Sequence, residues 1–167
     1  MATHTPTEQR PGKVSIDFMR DAAAGFTLRT CSSRTNGGPS VLEAYPHVAL
    51  LKLFQEDDGQ LPERLRYKLS RRKAYWPTLS PEEGREEIKR EWERILARLK
   101  SKIDLDLEIA CAGRKLRCWK AWEDVIDAIV CCWVGLQWLA GRAKPYGDAE
   151  AAIWVPNGIE RKAHDVA

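Results

Sequence analysis

Residues 121–140 read AWEDVIDAIVCCWVGLQWLA, a stretch that is apolar nearly all round and is followed directly by Gly141. Glycine commonly ends helices, so the pattern predicts a helix over these residues. A helix with apolar residues on every side is expected inside a domain, against a sheet or other helices. Its longest apolar run, residues 125–140, is shorter than the ~20 residues that a membrane helix needs, and it contains Asp127 and Gln137. We therefore do not expect a membrane span.

A second helix is predicted to begin at Ser80-Pro81-Glu82-Glu83, where Ser80 and Glu83 have the spacing of a capping box. Apolar residues then recur at helical spacing at Ile88, Trp92, Ile95, Leu96, Leu99 and Ile103. Further helices are predicted over residues 14–24, from Pro46 to the turn at 57–59, and over a basic stretch at 62–73. Strands are predicted at residues 26–31, 41–44 and 151–155. This mixture of elements predicts an α/β fold.

The chain has 167 residues, which suits one domain. We expect an extended arm at residues 1–12, one domain at 13–158 and a flexible tail at 159–167. The net charge is only +3, so the charge of the whole molecule gives no argument for nucleic acid. Any such argument depends on local patches.

The cysteines and the N-terminus predict a cytoplasmic protein. There are five cysteines, an odd number whose spacings match no zinc pattern. We interpret them as reduced thiols in the core of a cytosolic protein. The first twelve residues contain no apolar segment of the kind found in a secretory signal. The three histidines are scattered, so a site built on histidine is not expected.

Three carboxylates stand where the local pattern is apolar: Glu43 at the end of a predicted strand, and Asp124 and Asp127 three residues apart on one helical face. Such a set could bind Mg²⁺ or Mn²⁺, which take oxygen ligands and assist phosphodiester cleavage. A structural explanation also exists. Acids near a helix start favour the macrodipole, and Asp127 could pair with Lys120 or with an arginine elsewhere. Spacing alone favours this structural explanation.

The predicted basic stretch places six cations close to three aromatic residues. The cations are Arg64, Arg66, Lys68, Arg71, Arg72 and Lys73, and the aromatic residues are Tyr67, Tyr75 and Trp76. This combination suits a phosphate backbone and stacked bases. The commoner explanation of such a run is a solvated basic helix whose side-chain stems cover apolar surface.

The order of several short segments resembles the domain-of-unknown-function family numbered 429, described as predicted ribonuclease-H-like nucleases. The matching segments are THTP (3–6), RPG (10–12), VLEAYPH (41–47), RYK (66–68), YWP (75–77), KAWEDVIDA (120–128), YGD (146–148) and AIWVP (152–156). Together they extend over nearly the whole chain.

The resemblance implies a ribonuclease-H-like mixed sheet flanked by helices, and a hydrolase that cleaves phosphodiesters with Mg²⁺ or Mn²⁺. Glu43, Asp124 and Asp127 would then be the metal-binding catalytic residues, supported by Lys120 and Glu123. The nucleic acid would be bound by Arg66, Tyr67, Lys68, Arg71, Arg72 and Lys73.

The sequence departs from the family pattern at its beginning, where the family has strands with a leading aspartate. Asp17 falls after that region and is not assigned to the catalytic set. We therefore expect an incomplete sheet, to be completed by an upstream segment or by a second copy of the chain. Two functions follow: a nuclease, or a non-catalytic nucleic-acid-binding or regulatory module that keeps the fold. A third possibility is a non-functional remnant.

Overall fold

The computed structural model describes residues 25–30, 38–110 and 115–157. Within these ranges the helices are α1 (Pro46–Asp58), α2 (Arg72–Tyr75), α3 (Pro81–Lys100) and α4 (Leu116–Leu139), and a 3₁₀ turn (Leu69–Arg71) precedes α2. The strands are β1 (Thr27–Leu28), β2 (Ser40–Val41), β3 (Glu43–Ala44), β4 (Ala143–Gly147) and β5 (Ala152–Pro156). The predicted arm at 1–12, helix at 14–24 and tail at 159–167 lie outside the described residues.

The strands form two small sheets, which confirms a mixed α/β architecture. In one sheet, β5 lies between β3, which is parallel to it, and β4, which is antiparallel. β1 and β2 form a separate parallel pair. Strand β4 was not predicted, because Pro145 interrupts its pattern. That proline lies opposite Trp154 on an edge strand, where a residue without an N–H group is tolerated.

Helix α4 packs against β5, β4, α1 and α3 and supplies much of the core. It begins at Leu116, five residues before the predicted start. It packs against the sheet and other helices as predicted, but it is not buried on every side, because Val125 is 39% and Leu139 71% exposed. Only the face of α4 that holds Ile126 and Val130 is fully buried by the neighbouring elements. Among the described residues, no helix has the length and apolar character needed to cross a membrane.

The three described cysteines carry free thiols, but their predicted place in the core is wrong for two of them. Cys131 and Cys132 are exposed on α4, and Cys118 is half-buried. Both thiols lie outside the face of α4 that is buried in the core, which holds Ile126, Val130 and Val134. Cys31 and Cys111 lie outside the described residues.

The segment between α1 and the 3₁₀ turn corrects the prediction of a basic helix over residues 62–73. Residues 61–68 have no helical structure, and helix α2 covers only the end of the stretch. Leu65 and Tyr67 are buried whereas Arg64 and Arg66 are exposed. This alternation has the two-residue period of extended backbone, so the apolar side chains enter the core and the arginines face outward.

The predicted start of α3 is confirmed in its hydrogen bonds. The amide of Glu83 donates to the Ser80 hydroxyl over 3.2 Å, and the amide of Ser80 donates to the Glu83 carboxylate over 2.8 Å. The other end of α3 is held to α1 by Arg98, whose guanidinium binds Asp57 at 3.0 Å and Asp58 at 2.8 Å. These contacts fix α3, which carries Trp92 into the core.

We expect Ser80→Ala to lower the free energy of unfolding by about 1 kcal/mol, because the Glu83 amide at the start of α3 loses its side-chain acceptor. Urea unfolding followed by circular dichroism measures the change. Ser80→Asp keeps a capping oxygen and serves as the matched control, with most of the stability retained. Equal losses in the two variants would show that the capping box does not stabilise this helix.

Candidate carboxylate cluster and basic surface

Asp127 lies on α4 with its carboxylate satisfied by two residues of the extended segment. The Tyr67 hydroxyl donates a hydrogen bond to one oxygen over 3.2 Å, and the Lys68 ammonium forms an ion pair with the other. Burial and the charge of Asp127 raise the pKa of Tyr67 well above its ordinary value. Tyr67 therefore remains a protonated donor, and Asp127 is a partnered carboxylate at the edge of the core.

Glu123 is the most deeply buried acid of the cluster, with 3% of its surface exposed. One carboxylate oxygen accepts from the backbone amide of Leu69 over 2.5 Å, and the other accepts from Lys120 over 2.8 Å. Lys68 lies 3.9 Å from the same side chain. Glu123 therefore ties the start of the 3₁₀ turn to α4, a structural task beyond the supporting role predicted for it.

Asp124 faces solvent and is paired with Lys120 over 2.7 Å. Although burial opposes the charged form, the hydrogen bonds that Lys120 donates to Asp124 and Glu123 raise its pKa to about 12. Lys120 consequently carries its charge throughout the physiological range. Asp127 pairs neither with Lys120 nor with an arginine, the partners expected from the sequence: Lys120 binds Glu123 and Asp124, and Lys68 binds Asp127.

Glu43 is exposed at the first residue of β3, and no described residue forms a hydrogen bond or ion pair with its carboxylate. The residues that follow Glu43 nevertheless contact the cluster through His47. The ring of Tyr45 lies 6.4 Å from that of His47, which stacks on Tyr67 at 6.0 Å. Burial and the nearby charge of Lys68 lower the pKa of His47, and Asp127 opposes that shift. His47 is therefore favoured in its neutral form.

The described residues do not form a metal site by themselves. Among them no three histidine, cysteine, aspartate or glutamate side chains are arranged so that they could hold a metal ion. Asp127 and Asp124 lie one turn apart, and each is already neutralised by a lysine. The binding of Mg²⁺ or Mn²⁺ by Glu43, Asp124 and Asp127 accordingly stays a prediction.

A basic surface lies beside the cluster, formed by Arg64, Arg66, Arg71 and Lys73. The guanidinium of Arg64 lies over the Tyr75 ring at 4.8 Å, and that of Arg66 over the Trp76 ring at 5.7 Å. All four cations are exposed, and no described carboxylate forms an ion pair with any of them. Aromatic faces hold the two arginines in place while their charges stay available to an anion.

The structure brings some of the predicted site residues together and leaves others apart, among them Glu43 on β3. One group meets in the cluster: Tyr67, Lys68, Lys120, Glu123, Asp124 and Asp127. Arg66, Arg71 and Lys73 face solvent, whereas Arg72 is half-buried against α3. Sequence reasoning missed His47, which gave no spacing signal. It also missed Arg85, which is one of many charged residues on α3.

Comparison with known proteins places the chain in a family without assigning it an activity. Residues 22–151 match the family model described as "Protein of unknown function (DUF429)", which covers most of the chain. The chain therefore belongs to this family, as the segment order in the sequence indicated. No curated protein and no solved structure matches it.

We expect Glu123→Ala to lower the free energy of unfolding by about 2 kcal/mol, because the Leu69 amide and Lys120 lose a buried charged acceptor. The adjacent change Asp124→Ala is the matched control, with an expected effect within about 0.5 kcal/mol since its side chain is exposed. Chemical denaturation of both variants gives the comparison. An equally small effect of Glu123→Ala would contradict the role assigned to its carboxylate.

Proposed function

We propose that this protein binds nucleic acid and belongs to the ribonuclease-H-like nuclease class. The observation that carries the proposal is the basic surface, in which Arg64 and Arg66 lie over Tyr75 and Trp76. A phosphate backbone is attracted by unpaired cations, and unstacked bases bind to arginine and aromatic faces. Both features are present on this surface, within a few residues of the carboxylate cluster.

The arrangement of α4 and the sheet supports the structural part of the proposal. Parallel strands β3 and β5 are extended by the antiparallel β4, and α4 packs against this mixed sheet with Asp124 and Asp127 in its middle. The resemblance implies this order of strand acid and helix acids for a ribonuclease-H-like core. In the described part of the chain β3 pairs only with β5, so its other edge could pair with a strand of a second chain.

We expect Arg66→Gln to weaken binding of a fluorescent single-stranded 12-nucleotide DNA or RNA and to reduce the salt dependence of the affinity by about one phosphate contact. Fluorescence anisotropy at several salt concentrations gives both values. Arg90→Gln is the control, because Arg90 is an exposed arginine on α3 that pairs with Glu87. Equal losses in the two variants, or no binding by the unaltered protein, would contradict the proposed surface.

The second candidate function is hydrolysis of phosphodiesters with Mg²⁺ or Mn²⁺. It is favoured by the position of Asp127, a partly buried carboxylate on an apolar helix, in the cluster to which the chain after Glu43 leads. Lys68 forms an ion pair with that carboxylate in the structure, so a metal ion would have to displace the lysine. Ligands besides Asp124 and Asp127 would also be needed, since two neutralised carboxylates do not complete an oxygen site.

Under this second candidate, millimolar Mn²⁺ should raise the melting temperature of the unaltered protein by a few degrees. Binding at ten times the dissociation constant contributes about 1.4 kcal/mol. We expect the shift to disappear in Asp127→Asn and to persist in Asp104→Asn, which changes an exposed acid outside the cluster. If Mn²⁺ does not change the melting temperature of any of the three proteins, the second candidate function is contradicted and nucleic-acid binding without cleavage is favoured.

A further inference from the structure

A cleft of about 400 Å³ opens where the 3₁₀ turn, α2, α3 and the first turns of α4 meet. Its lining includes Leu69, Arg72, Arg85, Leu116, Lys120 and Glu123. The walls are mostly apolar, and three cations stand against one carboxylate. Small-molecule sites commonly occupy about 300–1,000 Å³ and combine apolar walls with a few polar groups, as this cleft does.

Arg72 lies along one side of the cleft, in space that is open because Gly84 has no side chain. A Cβ atom at position 84 would lie 2.9 Å from both Cγ and Cδ of Arg72, which is too close for a carbon contact. Glycine therefore allows the arginine stem to lie flat across α3. Its guanidinium reaches the carbonyl of Ser80 at 3.5 Å, and no described carboxylate forms an ion pair with it. Most of its donors are left for an anion.

The other two cations are placed by neighbouring acids and by an aromatic ring. Arg85 pairs with Glu82 at 2.5 Å and lies 6.0 Å from the centre of the Trp119 ring. Lys120 is oriented by Glu123 and Asp124, as described above. Both carboxylate oxygens of Glu123 are engaged, one by the Leu69 amide and the other by Lys120. Arg72 is therefore the cation of the lining that no described carboxylate pairs with, whereas Arg85 and Lys120 are each oriented by an acid.

We propose that this cleft binds one nucleotide unit, with the base between Leu69 and Leu116 and the phosphate against Arg72, Arg85 and Lys120. Arginine suits phosphate because its planar fork donates two parallel hydrogen bonds. This proposal rests on the proposed function and adds a binding site for one unit of the strand. Arg72 lies between Arg71 and Lys73 of the basic surface in the sequence, so a strand bound to that surface would pass the opening of the cleft. A free mononucleotide offers the same chemistry.

The test is titration of the full chain with adenosine 5′-monophosphate by isothermal titration calorimetry. We expect Arg85→Gln to weaken binding about tenfold, the effect of losing one charged hydrogen-bond donor. Gly84→Ala should weaken it as well, because the added Cβ displaces Arg72 without removing its charge. Arg90→Gln is matched to Arg85→Gln, since each arginine pairs with a glutamate three residues earlier on α3, and it should bind like the unaltered protein.

Oligonucleotide binding by the same proteins separates this inference from the proposed function. Weaker binding of both the mononucleotide and the 12-nucleotide strand in Arg85→Gln supports a cleft that holds a unit of the strand. Mononucleotide binding without strand binding supports a cleft for free nucleotide and contradicts the proposed function. A third result would be strand binding that depends on Arg66 but not on Arg85, without mononucleotide binding. This result would contradict the proposed nucleotide site in the cleft and would agree with the proposed function. Thermal melts check that each variant is folded.

Discussion

The buried carboxylate of Glu123 is the contact on which the functional surface depends. It accepts hydrogen bonds from the amide of Leu69 and the ammonium of Lys120, and so joins the start of the 3₁₀ turn to the first half of α4. An ionised group this deep is costly to bury unless its oxygens are hydrogen-bonded. The cost is offset here because both oxygens have donors. The same contact places Lys68 beside Asp127 and opens the cleft on the other side of Glu123.

The core beneath this contact is built from tryptophan and aliphatic residues on α1, α3, α4 and β5. Trp92 shows how the core and the surface are coupled, because its indole N–H donates to the Tyr67 carbonyl over 2.8 Å. That bond holds the extended segment with Tyr67 inside and Arg66 outside. The arginines are therefore displayed by buried neighbours, and their position does not depend on a helix of their own.

The charges around α4 divide into a neutralised group and an available group. Asp124 and Asp127 are each compensated by a lysine, whereas the four cations of the basic surface face solvent without acidic partners among the described residues. Available cations favour binding of a polyanion, and compensated acids must exchange a partner before they can bind a metal ion. This contrast is why nucleic-acid binding leads the proposal and cleavage stands second.

The sequence by itself determined the elements whose signals are local. The capping box at Ser80, the turn at Gly59 and the apolar periodicity of α3 depend on residues a few positions apart, so the start of α3 and the end of α1 could be predicted. It also indicated the family through the order of short motifs. Tertiary structure alone decided that residues 61–68 are extended and that β4 pairs with β5. It also decided that Lys68, 59 positions away in sequence, is the partner of Asp127. These features depend on packing between distant segments, and no pattern within one segment records which distant side chain will satisfy a buried acid.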